Sequence, residues 1–385
     1  MNLLKAFSFE LPTRIEYGPG AAGRLVPVLN EFGFETVMVV TDRGLQEAGL
    51  VERITRQLAE GGIRSKVFAE VEPNPKDRNV QAGARAADRL KPDCLVAVGG
   101  GSPIDCAKAI GVVATHGGRV RDYEQKERIT AAVLPLIAIP TTAGTGSEVT
   151  FSSVITDRRE QFKFTVKHPA IAPRVALVDP EMTVSMPPGL TAATGMDALT
   201  HAIEAFTALA AEPLADATAL YAIELIARYL RTAVFDGHNA EARAGMLMGS
   251  VLAGIAFSHS DVAAVHCIAE ALGGKYDAPH GVCNAVALPA VMEYNLSHCA
   301  ARYARIGTAM GVDGGNLEDR ARRTVAAVQQ LALDVKLPEL SSLGVQAEDV
   351  PELARNSALN GSNGDNPRPM SEADYVQLFR SLGIG

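Results

Sequence analysis

Much is missing from this 385-residue sequence, and each absence removes a class of function. There is no C-x-x-C pair: the five cysteines, Cys94, Cys106, Cys267, Cys283 and Cys299, are odd in number, so neither a disulfide framework nor a cysteine zinc site is indicated. There is no basic cluster, and a formal charge of −8 with a pI near 5.6 argues against a nucleic-acid surface. No run approaches about 18 uninterrupted apolar residues, and the N-terminal MNLLKAFSFELPTRIEYG has no sustained apolar h-region, which points to a cytoplasmic protein. Repeats at solenoid periods and low-complexity segments are also absent. What remains is 47% hydrophobic and 21% charged, an ordinary soluble globular composition, in a chain long enough for two domains.

From residue 14 to about 183, short β-rich runs alternate with helical ones. Residues 36–42, 65–71, 94–98 and 134–140 read as strands, and 51–61, 80–90 and 104–114 as helices. Such alternation implies a parallel sheet covered on both faces, with ligands at the carboxyl ends of its strands. GGGSPID (99–105) leaves a strand and enters a helix; Pro103 suits the first helical turn, and the backbone N–H groups there can face a pyrophosphate. The same residues also describe a plain strand-to-helix turn. PTTAGTGSE (140–148) follows another strand and gathers four hydroxyl side chains among small residues, as a surface loop also would.

Asp42 ends the second strand, where a carboxylate can accept both hydroxyls of an adenosine ribose and repel a 2′-phosphate, favouring NAD over NADP. In the familiar fingerprint the acidic residue lies about 20 residues after the glycine turn. Here it precedes that turn, so the topology is a variant, and a strand-end turn former is the plainer reading. Asn74, within Pro73-Asn74-Pro75, is placed to reach the nicotinamide side. SSVITD, QFKFTVKH and RVALVDP read as three further strands, the first two an antiparallel hairpin around 157–160. Lys163 on that hairpin offers a cation to cofactor phosphate or ribose, or is simply solvated.

Beyond Pro187-Pro188 the strand signal ceases, which divides the chain into an α/β domain over 1–188 and a helical domain over 189–385. Helical patterns cover 190–208, 214–232, 240–257, 261–272, 281–296 and 317–333, a helical bundle. The short linker predicts that the domains face each other across a cleft. A polar loop, SALNGSNGDNPRPM, precedes a last short helix with Ser371 as its N-cap.

The rest is organised around GMDALTHAIE (195–204). On a helix, Asp197 and His201 project from one face. That spacing suits a shared metal ion, and equally a cap or a buried hydrogen-bonded pair. A divalent cation needs roughly four protein ligands when structural, or about three with an open position when catalytic. His266 and His280, in VHCIAEALGGKYDAPHG, are the candidates for the remainder. Cys267 and Cys283 beside them read as small buried hydrophobes.

As a set, GGGSPIDCAK, IPTTAGTGSE, GMDALTHAIE, a histidine fourteen residues before that of APHG, and a late NPR resemble the iron-containing (metal-dependent, type III) alcohol dehydrogenases. The resemblance runs in order from Tyr17-Gly18 to Asn366-Pro367-Arg368. It implies an N-terminal NAD(P)-binding α/β domain with a variant Rossmann-like parallel sheet, an all-α C-terminal domain, and a dehydroquinate synthase-like architecture overall. It also implies one divalent metal, usually Fe²⁺ and sometimes Zn²⁺. By matching position, the metal ligands are Asp197, His201, His266 and His280. Gly100, Gly101, Ser102 and Asp105 correspond to the pyrophosphate loop; Thr141, Thr142, Thr145 and Ser147 correspond to the second cofactor loop. Asn74 and Lys163 match further cofactor contacts, and Asp42 fills the position that accompanies NAD preference. The implied reaction is reversible hydride transfer between a primary alcohol or diol and its aldehyde, in a homodimer or larger homo-oligomer.

Two positions depart from that pattern. The family often has a further histidine four residues after the third ligand, where this chain has Glu270, and commonly asparagine where it has His259. Separations of seven and four put residues 259, 266 and 270 on one helix face, so both departures are expected beside a polar substrate, with catalytic roles there; an extra metal ligand and a solvated helix glutamate are the alternatives for Glu270. Two other classes stay open: a metal- and NAD-dependent lyase like dehydroquinate synthase, and a non-catalytic NAD- and metal-binding sensor. The lyase would need several converging basic residues, and near the candidate ligands the chain offers Lys275 and Arg243.

Overall fold

The computed structural model describes residues 4–338 and 340–384. Residues Leu11–Thr142 and Ser147–Ser185 form an α/β unit. Its strands are β1 (Arg14–Tyr17), β2 (Thr36–Val40), β3 (Arg64–Phe68), β4 (Cys94–Gly99), β5 (Leu136–Pro140), β6 (Ser152–Asp157), β7 (Phe162–Lys167) and β8 (Val175–Val178). Its helices are α1 (Leu25–Glu31), α2 (Arg43–Glu47), α3 (Leu50–Glu60), α4 (Asp77–Leu90) and α5 (Gly101–His116). Six strands make one parallel sheet in the order β1-β8-β5-β4-β2-β3.

The apolar runs explain why this sheet is covered twice. Along β2, Met38 and Val40 join a core with Val80 and Ala84 of α4 and Ile104 of α5, while Val37 and Val39 join an opposite core with Leu25, Leu29, Ile54 and Leu58 of α1 and α3. Each such aliphatic side chain contributes about 1.5–3 kcal/mol on burial. The chain order reverses between β2 and β4, which pair directly, and the crevice at the carboxyl ends of such strands is where α/β sheets take ligands. β6 and β7 pair antiparallel in a separate two-stranded ribbon, as the hairpin pattern predicts.

Met1–Glu10, Ala143–Gly146 and Met186–Gly385 form the second unit. It contains α6 (Pro188–Thr207), α7 (Pro213–Phe235), α8 (Ala240–Ser260), α9 (Ala264–Tyr276), α10 (His280–Ala309), α11 (Leu317–Asp334), α12 (Val350–Leu359) and α13 (Glu372–Ser381). By composition alone, α8 is long and apolar enough to cross a membrane, yet 67% of its apolar stretch is buried inside the protein, as in a core helix. The main unit boundary falls at residues 185/186, and two short segments from earlier in the chain group with the helices. α10 runs on well past residue 296, because Leu288, Val291, Met292, Asn295, Cys299, Tyr303 and Ile306 keep one face buried, and Pro289 is accommodated inside it.

Candidate active site

On the sheet, α5 begins at Gly101 directly after β4, so a 16-residue helix opens at the switch point with its first N–H groups at the strand end. Gly100 precedes it. A Cβ on Gly100 would lie 2.8 Å from Thr142 Oγ1, so only glycine lets the loops after β4 and β5 close together. The second loop is anchored where Thr141 N–H donates to Gly99 O at 3.0 Å. Gly101, Ser102, Thr142 and Thr145 stay partly accessible, whereas Thr141 and Ser147 are buried. The narrow glycine cradle and the helix N-terminus together suit an anionic pyrophosphate.

Asp105 and Ser147 bond each other across the two loops. Ser147 Oγ donates to Asp105 Oδ1, Val154 N–H to Asp105 Oδ2 at 3.0 Å, and Ser153 Oγ to Asp105 O at 2.7 Å. They therefore lock the two loops to each other and to β6. Lys108, unremarked in the motif reading, sits one turn from Asp105 and is fully buried; its Nζ donates to Ser147 Oγ, Thr150 Oγ1 and Ser152 O at 3.0, 2.8 and 2.7 Å. Burial pushes its pKa down to about 8 against the pull of Asp105 and Glu148, and burial pushes Glu148 up to about 7. Asn74 Oδ1 accepts from Lys163 Nζ at 2.8 Å, so these two expected cofactor contacts meet each other. Asp42 caps α2, with Oδ1 accepting from Leu45 N–H at 2.9 Å, the turn-forming role.

In the helical unit, Asp197 and His201 of α6, His266 of α9 and His280 of α10 bring four donor atoms within 4.8 Å of one another. Gly281 permits this: a Cβ there would lie 2.4 Å from Ala193 O and 3.3 Å from Asp197 Cβ, so α10 approaches α6 at a glycine beside the donors. Asn284 Nδ2 stands 2.7 Å from Asp197 Oδ1, 3.1 Å from His266 Nε2 and 3.2 Å from His280 Nε2. Three acceptors facing one amide that has only two N–H bonds is a donor set arranged for a cation. His201 Nδ1 is buried with no hydrogen-bond partner, and burial lowers that ring's pKa to about 4, so it is neutral and free to coordinate at ordinary pH. Burial works to raise Asp197, but the three histidines and Asn284 outweigh it and hold the carboxyl below its usual range. Burial likewise opposes a charged His266, and Glu204, Asp197 and Glu270 outweigh it, raising that ring.

One expectation is corrected. His259 does not share a face with His266 and Glu270, because the chain leaves α8 at Asp261 (φ +62°) and α9 starts only at Ala264. A spacing of seven counts as two turns only within one helix. His259 instead holds the N-terminal segment: its ring stacks on Phe9 at 4.0 Å, Nδ1 lies 2.8 Å from Ile255 O, and Nε2 accepts from Glu10 N–H at 3.1 Å. Glu270 does lie one turn beyond His266 and is half-buried, with Oε2 accepting from Asn360 Nδ2 at 2.6 Å. It is not among the four converging donors.

The basic residues that a lyase would require are engaged elsewhere. Arg243 donates to Gly237 O, Thr191 Oγ1 and Met186 O at 2.8–3.0 Å, and Lys275 pairs with Asp349 at 2.8 Å and with Glu352. Sequence reasoning passed over Lys108, Glu148, Glu204 and Asn284, although each stands inside or beside a quoted motif. The available signal was a charged or amide side chain one turn from a candidate residue.

Residues 12–180 match the family model for iron-containing alcohol dehydrogenase, and residues 191–383 match that for the C-terminal part of the Fe-containing alcohol dehydrogenase family. The chain is 40% identical to a choline dehydrogenase of Bacillus subtilis, over 98% of this chain and 96% of that one. It is 38% identical to an NAD-dependent methanol dehydrogenase of Bacillus methanolicus, over 97% and 99%. A crystal structure of a 1,3-propanediol oxidoreductase superposes with a TM-score of 0.94 at 41% identity, covering 98% of this chain and 100% of the other.

Proposed function

The chain belongs to the iron-containing alcohol dehydrogenase family, and from that premise we propose that Asp197, His201, His266 and His280 hold its metal and that the substrate is a small polar primary alcohol or diol. The protein is an NAD-dependent, divalent-metal alcohol dehydrogenase catalysing reversible hydride transfer between alcohol and aldehyde. The convergence of four donors within 4.8 Å carries the ligand assignment. When bound, the metal supplies Lewis acidity toward the alcohol or carbonyl oxygen and the nicotinamide carries the hydride. The chain's own part is position and charge. One carboxylate and three neutral imidazoles bring a single negative charge to a divalent ion, which leaves the centre receptive to an anionic oxygen. The N–H groups at the start of α5, beside the closely packed Gly100, would hold the pyrophosphate, and Asp42 would accept from the ribose hydroxyls.

The three relatives act, by name, on a cationic alcohol, a one-carbon alcohol and a diol, so membership leaves the substrate open within small alcohols. Glu270 narrows it. A carboxylate one turn from a metal-facing histidine suits a second hydroxyl or an ammonium group and gives nothing to a plain alkyl chain. A hydrogen bond to a charged group is worth about 1.5–3 kcal/mol, roughly 10–100-fold in rate or binding. With enzyme reconstituted with Fe²⁺ or Zn²⁺, Glu270→Gln is expected to lose that factor in kcat/KM for 1,3-propanediol or choline and little for 1-propanol, followed as NADH formation. Equal losses on all three would remove Glu270 from the substrate side.

A further inference from the structure

Glu204 closes the GMDALTHAIE stretch, three residues beyond His201, and is 3% exposed. Its carboxylate reaches the start of α9: Oε1 accepts from Val265 N–H at 2.7 Å, Oε2 accepts from Ala263 N–H at 2.9 Å, and Oε2 lies 2.6 Å from His266 Nδ1. Ala263, the residue at the N-cap of α9, has no side chain that can serve there. A neighbouring helix therefore supplies the acceptor that a serine or aspartate cap would normally provide. We propose that Glu204 is a positioning residue that fixes the tautomer and aim of His266, so that α6 carries two donors and also orients a third. This rests on His266 being a metal ligand.

An ionised carboxylate has only lone pairs to offer, so the hydrogen of the neutral ring must sit on Nδ1. That leaves the Nε2 lone pair free, and Nε2 is the atom within 3.1 Å of Asn284 Nδ2 inside the donor cluster. Three N–H groups converge on two carboxylate oxygens, an arrangement that an amide cannot reproduce. In Glu204→Gln, an NH₂ turned toward the ring makes Nδ1 an acceptor and moves the ring proton to Nε2, where it blocks coordination. The other amide orientation sets NH₂ against Val265 N–H.

Titration of metal-stripped protein with Co²⁺ tests this. Glu204→Gln is expected to weaken Co²⁺ binding about 10–100-fold, the usual effect of losing a histidine's outer hydrogen-bond partner, and to shift the visible ligand-field bands of the complex. Wild-type affinity with an unshifted spectrum overturns the proposal, even if the apo-protein Tm falls, because that is the signature of helix capping alone. His280→Ala is titrated alongside. If it binds Co²⁺ like wild type, the ligand assignment itself fails, whereas normal binding by Glu204→Gln only removes Glu204. Should Glu204→Gln not fold, long-range ¹H–¹⁵N correlation on the Zn²⁺-loaded wild type decides: a proton on His266 Nδ1 supports the proposal and a proton on Nε2 overturns it.

Discussion

A buried polar cluster in each unit invites comparison, and the two differ in the origin of their positive charge. In the α/β unit, Lys108 carries its own ammonium into the group formed by Asp105, Ser147, Thr150 and Glu148. In the helical unit, Asp197, Glu204, Asn284 and three imidazoles meet, while Arg243 and Lys275 are occupied elsewhere. Buried anions need a counter-charge. Where the chain provides one, the cluster is a strut that holds two loops together. Where it offers only titratable imidazoles, their ring lone pairs can take up a cation from solution instead, so the lack of a permanent counter-charge distinguishes the donor cluster from the strut.

The comparison breaks most visibly at its metal side. His280→Ala should lower metal content, read by elemental analysis, and kcat/KM together, the latter by about 10³-fold or more, since Lewis-acid stabilisation is worth several kcal/mol. Full occupancy in that variant would count against the ligand set. On the strut side, Lys108→Met keeps the aliphatic stem and strands the partners of the lost ammonium. A loss of about 3–5 kcal/mol in urea unfolding of the α/β unit is expected, with metal content unchanged. A parallel loss of metal would show that the two clusters are not independent.

The smallest effect is a pH slope. Glu148 has a folded pKa of about 7 against 4.5, so the folded chain holds that proton more tightly; the stability it contributes is complete below pH 4.5 and is lost as pH rises through 7. Lys108, at about 8 against 10.5, acts oppositely, and stability returns as pH climbs from 8 toward 10.5. Glu148→Gln should flatten the acid-side slope, at most about 3 kcal/mol across that window, measured as denaturant midpoints against pH. An unchanged slope would place its cause elsewhere.

The sequence made the strand and helix alternation legible because buried parallel strands and amphipathic helices leave local periods, and it exposed the four donors because two motifs carry them in fixed spacing. What it hid is tertiary. Glu204 and His266 are 62 residues apart, and Ser147 and Asp105 are 42 apart, so no local pattern announces either pair. Counting turns misplaces His259, because the chain breaks between α8 and α9, with a positive φ at Asp261. The bracing of Asp105 by Ser147 is not announced by either loop motif, because a side chain that braces a loop and one that touches a cofactor are of the same type.

The path of the chain limits how the protein can be divided. It passes between the two units at 10/11, 142/143, 146/147 and 185/186. A fragment beginning at residue 189 would lack Phe9 and Glu10, which hold His259, and would lack Gly146, where an added Cβ would lie only 2.6 Å from Gly254 Cα. The helical half is therefore not a cassette. Recombination with a relative that swaps one contiguous half at residue 188 would exchange the helices but leave two of their packing segments from the other parent. Chimaeras should tolerate such a swap only where those ten N-terminal residues and that four-residue insert travel with the helices.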